Sequence, residues 1–213
     1  MVRKREKSLP TSNAQRPTAV IGVLALQGDF DAHRRRLEEL GAKVLLIKKS
    51  EQLEDIDGLV IPGGESGTFL NLLGDEGFKK LKQFARLKPT FGTCAGAILL
   101  ATDVENPKQA GLGAIDMAIR RNAYGRQVDS SIREGLLGKS PLEMVFIRAP
   151  KISRVGAEVE VLATEGKDPV AVRQGSAMAA TFHPELSDDT RVHKAFLDLV
   201  TGASHTSVRG FAR

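Results

Sequence analysis

Between Val20 and Lys48 the chain reads VIGVLALQGDFDAHRRRLEELGAKVLLIK, and its hydrophobic period changes twice. The continuous apolar run Val20–Leu26, closed by Gln27, Gly28 and Asp29, reads as a strand buried on both faces. Phe30, His33, Leu37 and Leu40 then recur at helical spacing, with Arg34, Arg35, Arg36, Glu38 and Glu39 on the polar side. Asp29 is placed to cap the start of this helix and Gly41 its end. Lys43–Lys48 is a second strand. Strand, helix and strand in so short a stretch predict a parallel pair joined by a right-handed crossover.

The alternation continues. DGLVIPGG (Asp57–Gly64) is a strand ending in a glycine turn, and residues 66–87 read as helix, broken near Gly74 and Gly77. PTFGTC is a short strand entering a turn, and AGAILLA begins another helix. In the second half, the β-prone runs LEMVFI, AEVEVLA and AMAATF alternate with turns. A last helix sets Val192, Phe196, Leu199 and Val200 on one face. These elements predict one α/β domain over residues 19–201, a parallel sheet flanked by helices with antiparallel strands added late. With 213 residues, there is room for one such domain and little more.

Charge separates the ends from the middle. The net charge is +5, yet Arg3, Lys4, Arg5, Lys7 and Arg16 face only Glu6 within residues 1–18, which read as a disordered basic extension. The remainder carries 26 basic and 25 acidic residues, so the folded body is nearly neutral. A nucleic-acid surface is not expected of it, and aromatic residues, at 5%, are scarce for base stacking. The extension lacks the apolar segment of a secretory signal and is short and Lys-rich for a transit peptide. Residues 202–213 read as a flexible tail. No apolar run approaches the roughly 20 residues of a membrane-spanning helix. One cysteine permits neither an internal disulfide nor a Cys-rich zinc site, so the cytoplasm is the expected location.

That cysteine, Cys94, sits in FGTCAG between an extended segment and a helix, framed by Gly92 and Gly96. This is the arrangement of a nucleophile elbow, with Cys in the usual place of Ser. A side chain held out on so tight a turn needs neighbours without bulk two residues before and two after. The helix start favours the thiolate. The free N–H of Ala95 can help hold an oxyanion. Simple buried packing beside Phe91 and Ile98 is the competing reading of the same residues.

A thiol nucleophile also needs a base. His183, in TFHPEL, is followed two residues on by Glu185, and Pro184 disfavours helix there. In extended backbone the two side chains point the same way, so a carboxylate can fix the imidazole tautomer and leave Nε2 for the sulfur. His33 and His193 read as packing residues of their helices, and His205 lies in the tail. The turn IPGGES (Ile61–Ser66) can present successive N–H groups to an anion. No Lys-Ser or Lys-Thr pair follows its glycines, so a phosphate loop is not indicated. An oxyanion hole and a plain helix cap by Glu65 and Ser66 both fit.

GTCAG with FHPEL resembles the class I, triad-type glutamine amidotransferases. VLALQGDF, IPGGES, FGTCAG, RRNAYGRQ, VFIRAP and FHPEL, in that order between about Val20 and Val200, are similar to a narrower family, the glutaminase subunits of pyridoxal 5′-phosphate synthase. The resemblance implies a flavodoxin-like open sheet and hydrolysis of L-glutamine to glutamate and ammonia. It implies delivery of the ammonia to a (β/α)₈-barrel synthase subunit, with no cofactor and no metal. Carried over motif by motif, Cys94 is the nucleophile and His183 and Glu185 complete its triad. Gly64, Glu65, Ser66, Arg121, Ile147 and Arg148 form the glutamine site, and Gly64 and Ala95 hold the oxyanion. Gln27 lies near that hole, and activity depends on docking to the synthase. Gly67 departs from the family, whose members usually carry a second hydroxyl residue there; this implies a looser loop. The basic extension has no counterpart.

Three other readings remain open at this point. One is a hydrolase or chaperone of the same broad fold acting on peptides or reactive carbonyls. Another is a silent subunit that only binds and regulates a barrel, against which the intact Cys94, His183 and Glu185 count. The last is nucleic-acid binding by residues 1–18, which predicts steep salt dependence.

Overall fold

A computed structural model of the chain describes residues 18–121 and 130–203. The extension and tail expected at residues 1–18 and 202–213 therefore lie, apart from Thr18, Gly202 and Ala203, outside the described residues, as do His205 and most of RRNAYGRQ.

The expected crossover unit is present. β1 (Val20–Leu24), α1 (Phe30–Glu39) and β2 (Lys43–Ile47) form a parallel pair, Val20 opposite Lys43 and Leu24 opposite Ile47. Asp29 stands at the start of α1 but makes no side-chain capping bond; the Gly41 N–H closes the other end on the Glu38 carbonyl. β3 (Gly58–Ile61) and β4 (Thr90–Thr93) add in parallel, linked by α2 (Ser66–Leu87). The helix breaks at Gly74, whose φ of 60° and ψ of −179° are open to a residue without Cβ, whereas Gly77 stays helical.

Beyond β4 the structure departs from the expected pattern. α3 spans only Ala95–Leu100, and the chain turns at once into β5 (Ala101–Glu105). β5 pairs with β6 (Ile115–Arg120), and β6 with β9 (Lys151–Val155), in a separate three-stranded sheet that the sequence reading did not include. The late antiparallel strands are β7 (Ser130–Leu137), β8 (Ser140–Ile147), β10 (Glu160–Glu165) and β11 (Asp168–Gln174). β12 (Ala177–Ala180) returns parallel to β4, and α4 (Arg191–Thr201) packs beside α1. The main sheet runs β2-β1-β3-β4-β12-β11-β10-β7-β8, five parallel strands continued by four antiparallel ones.

Side chains alternate across the parallel strands as a doubly covered sheet requires. Ile21, Val23, Val60 and Phe91 face α1 and α4, where Leu37 and Phe196 are fully buried. Leu24, Leu59 and Ile61 face α2 and α3, against Phe69, Leu81 and Leu99. Burial of each such side chain stabilises by about 1.5–3 kcal/mol, which fixes the register of β1, β3, β4 and β12. The ends of β3, β4 and β12 carry the glycine turn, Cys94 and His183 to one edge of the sheet, where ligands of open α/β sheets bind. Among the described residues no helix is long and apolar enough to cross a membrane, and no group of His, Cys, Asp and Glu is arranged to hold a metal ion.

Candidate active site

Cys94 occupies the turn between β4 and α3 with φ 47° and ψ −101°, a conformation L residues seldom adopt. Its N–H is tied to the Ala180 carbonyl at 2.8 Å, and its carbonyl accepts from Ile98 N–H at 3.2 Å, so strand and helix hold the strained residue from both sides. The two glycines do what the spacing implied. A Cβ at Gly92 would fall 2.4 Å from the Gly96 carbonyl group, and one at Gly96 would fall 2.1 Å from the Ile61 carbonyl oxygen. Only bare backbone lets the elbow close on β3.

His183 and Glu185 are paired, Nδ1 to Oε1 at 2.7 Å, as read from the sequence. The local reason differs. β12 ends at Ala180, and Pro184–Leu186 forms a 3₁₀ turn with proline in its first position, not an extended pair. The His183 N–H is anchored on the Val145 carbonyl of β8 at 2.8 Å, which brings Ile147 and Arg148 alongside. The Cys94 thiol makes a long contact of 3.9 Å to the Ile147 carbonyl. His183 Nε2 has no aligned hydrogen bond, yet Cys94 is near enough to act on the ring's proton affinity. Burial alone would lower that affinity, but Cys94 and Glu185 outweigh it and hold His183 up to about 10. Burial would likewise raise the Glu185 carboxyl; His33 and then His183 overcome it and hold the group below the ordinary carboxylate range.

The glycine turn lies against this pair. A Cβ at Gly63 would meet His183 Cε1 at 2.4 Å and Cys94 Cβ at 3.4 Å, so that backbone position is wedged between Cys94 and His183. Gln27 clamps the loop from the other side, its amide donating to the Glu65 carbonyl at 2.5 Å and accepting from the Glu65 N–H at 3.2 Å. Glu65 precedes α2 without a side-chain capping bond, so the plain helix-cap reading is not what the residues form. Ser66 is buried and donates to Gln109 Oε1 at 2.9 Å.

A cavity of about 510 Å³ opens here, a volume suited to an amino acid with room to spare. Gly64, Glu65, Ser66, Cys94, Arg121, Ile147, Arg148 and His183 all line it. Ala95 and Glu185 do not: Ala95 is fully buried below the elbow, and Glu185 stands behind His183. Gly28, Asp29, Ile98 and Pro107 also line the cavity, and the sequence does not mark them as site residues. Asp29 had the signal of a charge flanking a glycine turn, absorbed there into the capping argument; Pro107 and Gln109 had none. Gly67 has only Arg121 Nη2 within reach of a would-be Cβ, at 3.9 Å, so its lack of a side chain leaves open space beside that arginine.

His33 is buried, as expected of a packing residue, but its ring lies 3.3 Å from the second oxygen of Glu185 and 3.0 Å from His193. Burial depresses both rings, His33 against the opposing pull of Glu185, and His193 to about 3, so His193 is neutral in the fold. Unfolded, His193 would bind a proton near 6.5, and below that pH the unfolded chain holds more protons than the native one. Glu185, also depressed, loses its contribution as pH falls through its folded value. His183 acts in another window: raised to about 10, its contribution is complete below 6.5 and lost as pH rises toward 10. Thermal stability is therefore expected to fall between pH 6.5 and pH 4, by about 1.4 kcal/mol per pH unit from His193. Melting curves of wild type and His193→Phe check this, the variant losing part of the acid sensitivity. Parallel curves would contradict it.

With this geometry in view, similarity to known proteins is extensive. The model of the SNO glutamine amidotransferase family matches residues 23–201. The chain is 63% identical over 182 residues to the pyridoxal 5′-phosphate synthase subunit PdxT of Koribacter versatilis, covering 84% of this chain and 95% of that protein. It is 50% identical over 186 residues to the subunit of the same name from Solibacter usitatus, covering 83% and 97%. A solved structure described as a glutamine amidotransferase superposes with a TM-score of 0.79 at 43% identity, covering 85% of this chain and 98% of the other. The structure of PurLQS from Thermotoga maritima shares the fold, with a TM-score of 0.69 at 16% identity over 85% of this chain and 98% of the other.

Proposed function

This chain belongs to the SNO glutamine amidotransferase family, and on that premise we propose that it is the glutaminase subunit of a pyridoxal 5′-phosphate synthase. It hydrolyses L-glutamine to glutamate and ammonia. The observation that carries the catalytic assignment is the strained Cys94 elbow beside a histidine paired to a buried carboxylate at 2.7 Å.

The Cys94 thiolate attacks the side-chain amide carbon of glutamine. The tetrahedral oxyanion is received by backbone donors at Gly64 and Ala95. The carbon–nitrogen bond breaks as His183 gives its proton to the leaving nitrogen, and ammonia departs from a cysteinyl thioester. His183 then takes a proton from water, whose oxygen attacks the thioester. Glutamate leaves and the thiol is restored. Glu185 holds the ring in the tautomer these transfers need and favours its cationic form. Arg148 and Arg121 supply positive charge to the substrate's α-carboxylate, and Glu65 and Asp29 face its ammonium group.

The partner is a synthase subunit of (β/α)₈-barrel form that consumes the ammonia. Gating by that partner fits the clamp of Gln27 on Glu65, which ties the backbone next to the oxyanion donors to a surface residue. A glutamine analogue with a chloroketone in place of the amide tests the site. One equivalent of label is expected on Cys94, with protection by L-glutamine. Labelling elsewhere, or labelling that glutamine does not slow, would overturn the assignment.

A further inference from the structure

The mechanism above uses one of the three histidines buried at this edge of the sheet. The other two form, with Glu185, a chain of polar contacts sealed from solvent. His193 of α4 and His33 of α1 face each other Nε2 to Nδ1 at 3.0 Å, and both are fully buried. On its far side, His33 Nε2 lies 3.0 Å from Thr93 Oγ1, with which it is aligned, and 3.3 Å from Glu185 Oε2. Thr93 is the residue before the nucleophile. Among the described residues, Glu185 Oε2 has no aligned hydrogen bond, and neither does His193 Nδ1.

These contacts select one tautomer. If His33 carried its hydrogen on Nδ1, a lone pair would face the buried carboxylate, and His193 would hold an orphaned N–H at Nδ1. If instead His193 donates from Nε2, its Nδ1 keeps only an unused lone pair, which costs less than a buried unpaired N–H. His33 then carries its hydrogen on Nε2, directed at Thr93 Oγ1 at 3.0 Å, and sets the positive end of that N–H bond 3.3 Å from Glu185 Oε2. A carboxylate buried this deeply needs donors on both oxygens, and His183 serves only Oε1.

We infer that His33 is a positioning residue of the glutaminase triad: its Nε2–H keeps Glu185 ionised and turned toward His183, while His193, behind it, fixes the tautomer that makes this possible. The inference rests on the proposed glutaminase reading. Besides Glu185, the titratable and charged groups near these rings are His183 of the same turn, Asp29 before α1 and Arg36 on α1. Asp29 acts on His33 in the same sense as Glu185, and Arg36 acts on His193 in the opposite sense.

The test compares three substitutions, in the complex with the cognate synthase subunit. The amide nitrogen of glutamine falls near the Nε2 position of histidine, whereas asparagine reaches only the Nδ1 position. His33→Gln therefore keeps the donor to Glu185, and His33→Asn and His33→Phe lose it. For the latter two, kcat for glutamine is expected to fall about 10- to 100-fold with KM within about threefold, the range of a hydrogen bond to a charged group. The acid limb of the kcat/KM profile should move to higher pH, and His33→Gln should restore both. Should His33→Phe fail to fold, the Asn and Gln pair carries the comparison.

Alkylation of Cys94 by iodoacetamide across pH gives a readout that needs neither glutamine nor the glutaminase reading. Its profile should move to higher pH in the Asn variant and return in the Gln variant. Unchanged pH profiles in His33→Asn, or a Gln variant as impaired as Asn, would overturn the inference. Wild type that alkylates as expected but never hydrolyses glutamine would overturn the glutaminase reading instead, and His33 would be judged on alkylation.

Discussion

Alanine at position 94 is expected to abolish glutamine hydrolysis by the chain in complex with its synthase subunit, lowering kcat by roughly 10⁴-fold or more while leaving the fold intact. The loss follows from the route proposed: without the sulfur there is no thioester, and neither His183 nor the oxyanion donors can replace a covalent step. Retention of the fold follows from the geometry. Cys94 is nearly buried, and its backbone φ of 47° is no harder for alanine than for cysteine. The change removes one sulfur and leaves every backbone bond of the elbow. Its melting temperature should stay within a few degrees of wild type, consistent with about 1 kcal/mol for one small buried group. Residual turnover near the wild-type rate would remove Cys94 from the chemistry.

The second large effect concerns a residue that touches no substrate. Gly96→Ala is expected to destabilise the protein by about 3 kcal/mol or more and to abolish activity in any fraction that folds. The added methyl would lie 2.1 Å from the Ile61 carbonyl oxygen and 2.9 Å from its carbon, atoms of a central parallel strand that cannot swing aside. Gly92→Ala meets the backbone of Gly96 itself at 2.4 Å and should behave alike. Gly77→Ala is the control. It is helical, and its new methyl would touch only Leu73 at 3.4 Å, so it should be neutral or stabilise by up to about 1 kcal/mol. Chemical denaturation of the three variants checks the order. Equal stabilities would mean that the elbow is not closed by these glycines.

The elbow was legible because its requirement is local: two glycines at fixed distance from a cysteine, between a strand and a helix. The pairing of His183 with Glu185 was legible too, although a 3₁₀ turn produces it instead of extended backbone, since either path sets residues two apart near one another there. What the chain did not disclose are contacts between distant elements. Helical periodicity puts His33 and His193 on buried faces, but it cannot say that α1 lies against the turn bearing Glu185 or that α4 closes over it. The separate sheet escaped for another reason. Ala101–Glu105 follows six helical residues without a glycine or proline to mark the change, and β6 and β9 draw their pairing from opposite sides of residues 130–147. Gln109, which holds Ser66, carries no pattern at all.

We propose that this chain turns glutamine over through a partner-gated triad. Glutamate released from L-glutamine by the purified chain, alone and with its cognate synthase subunit, tests it most directly. Strong release is expected with the synthase present and little without it. No release in either case, from protein shown to be folded, would contradict it and leave a silent subunit as the reading of this site.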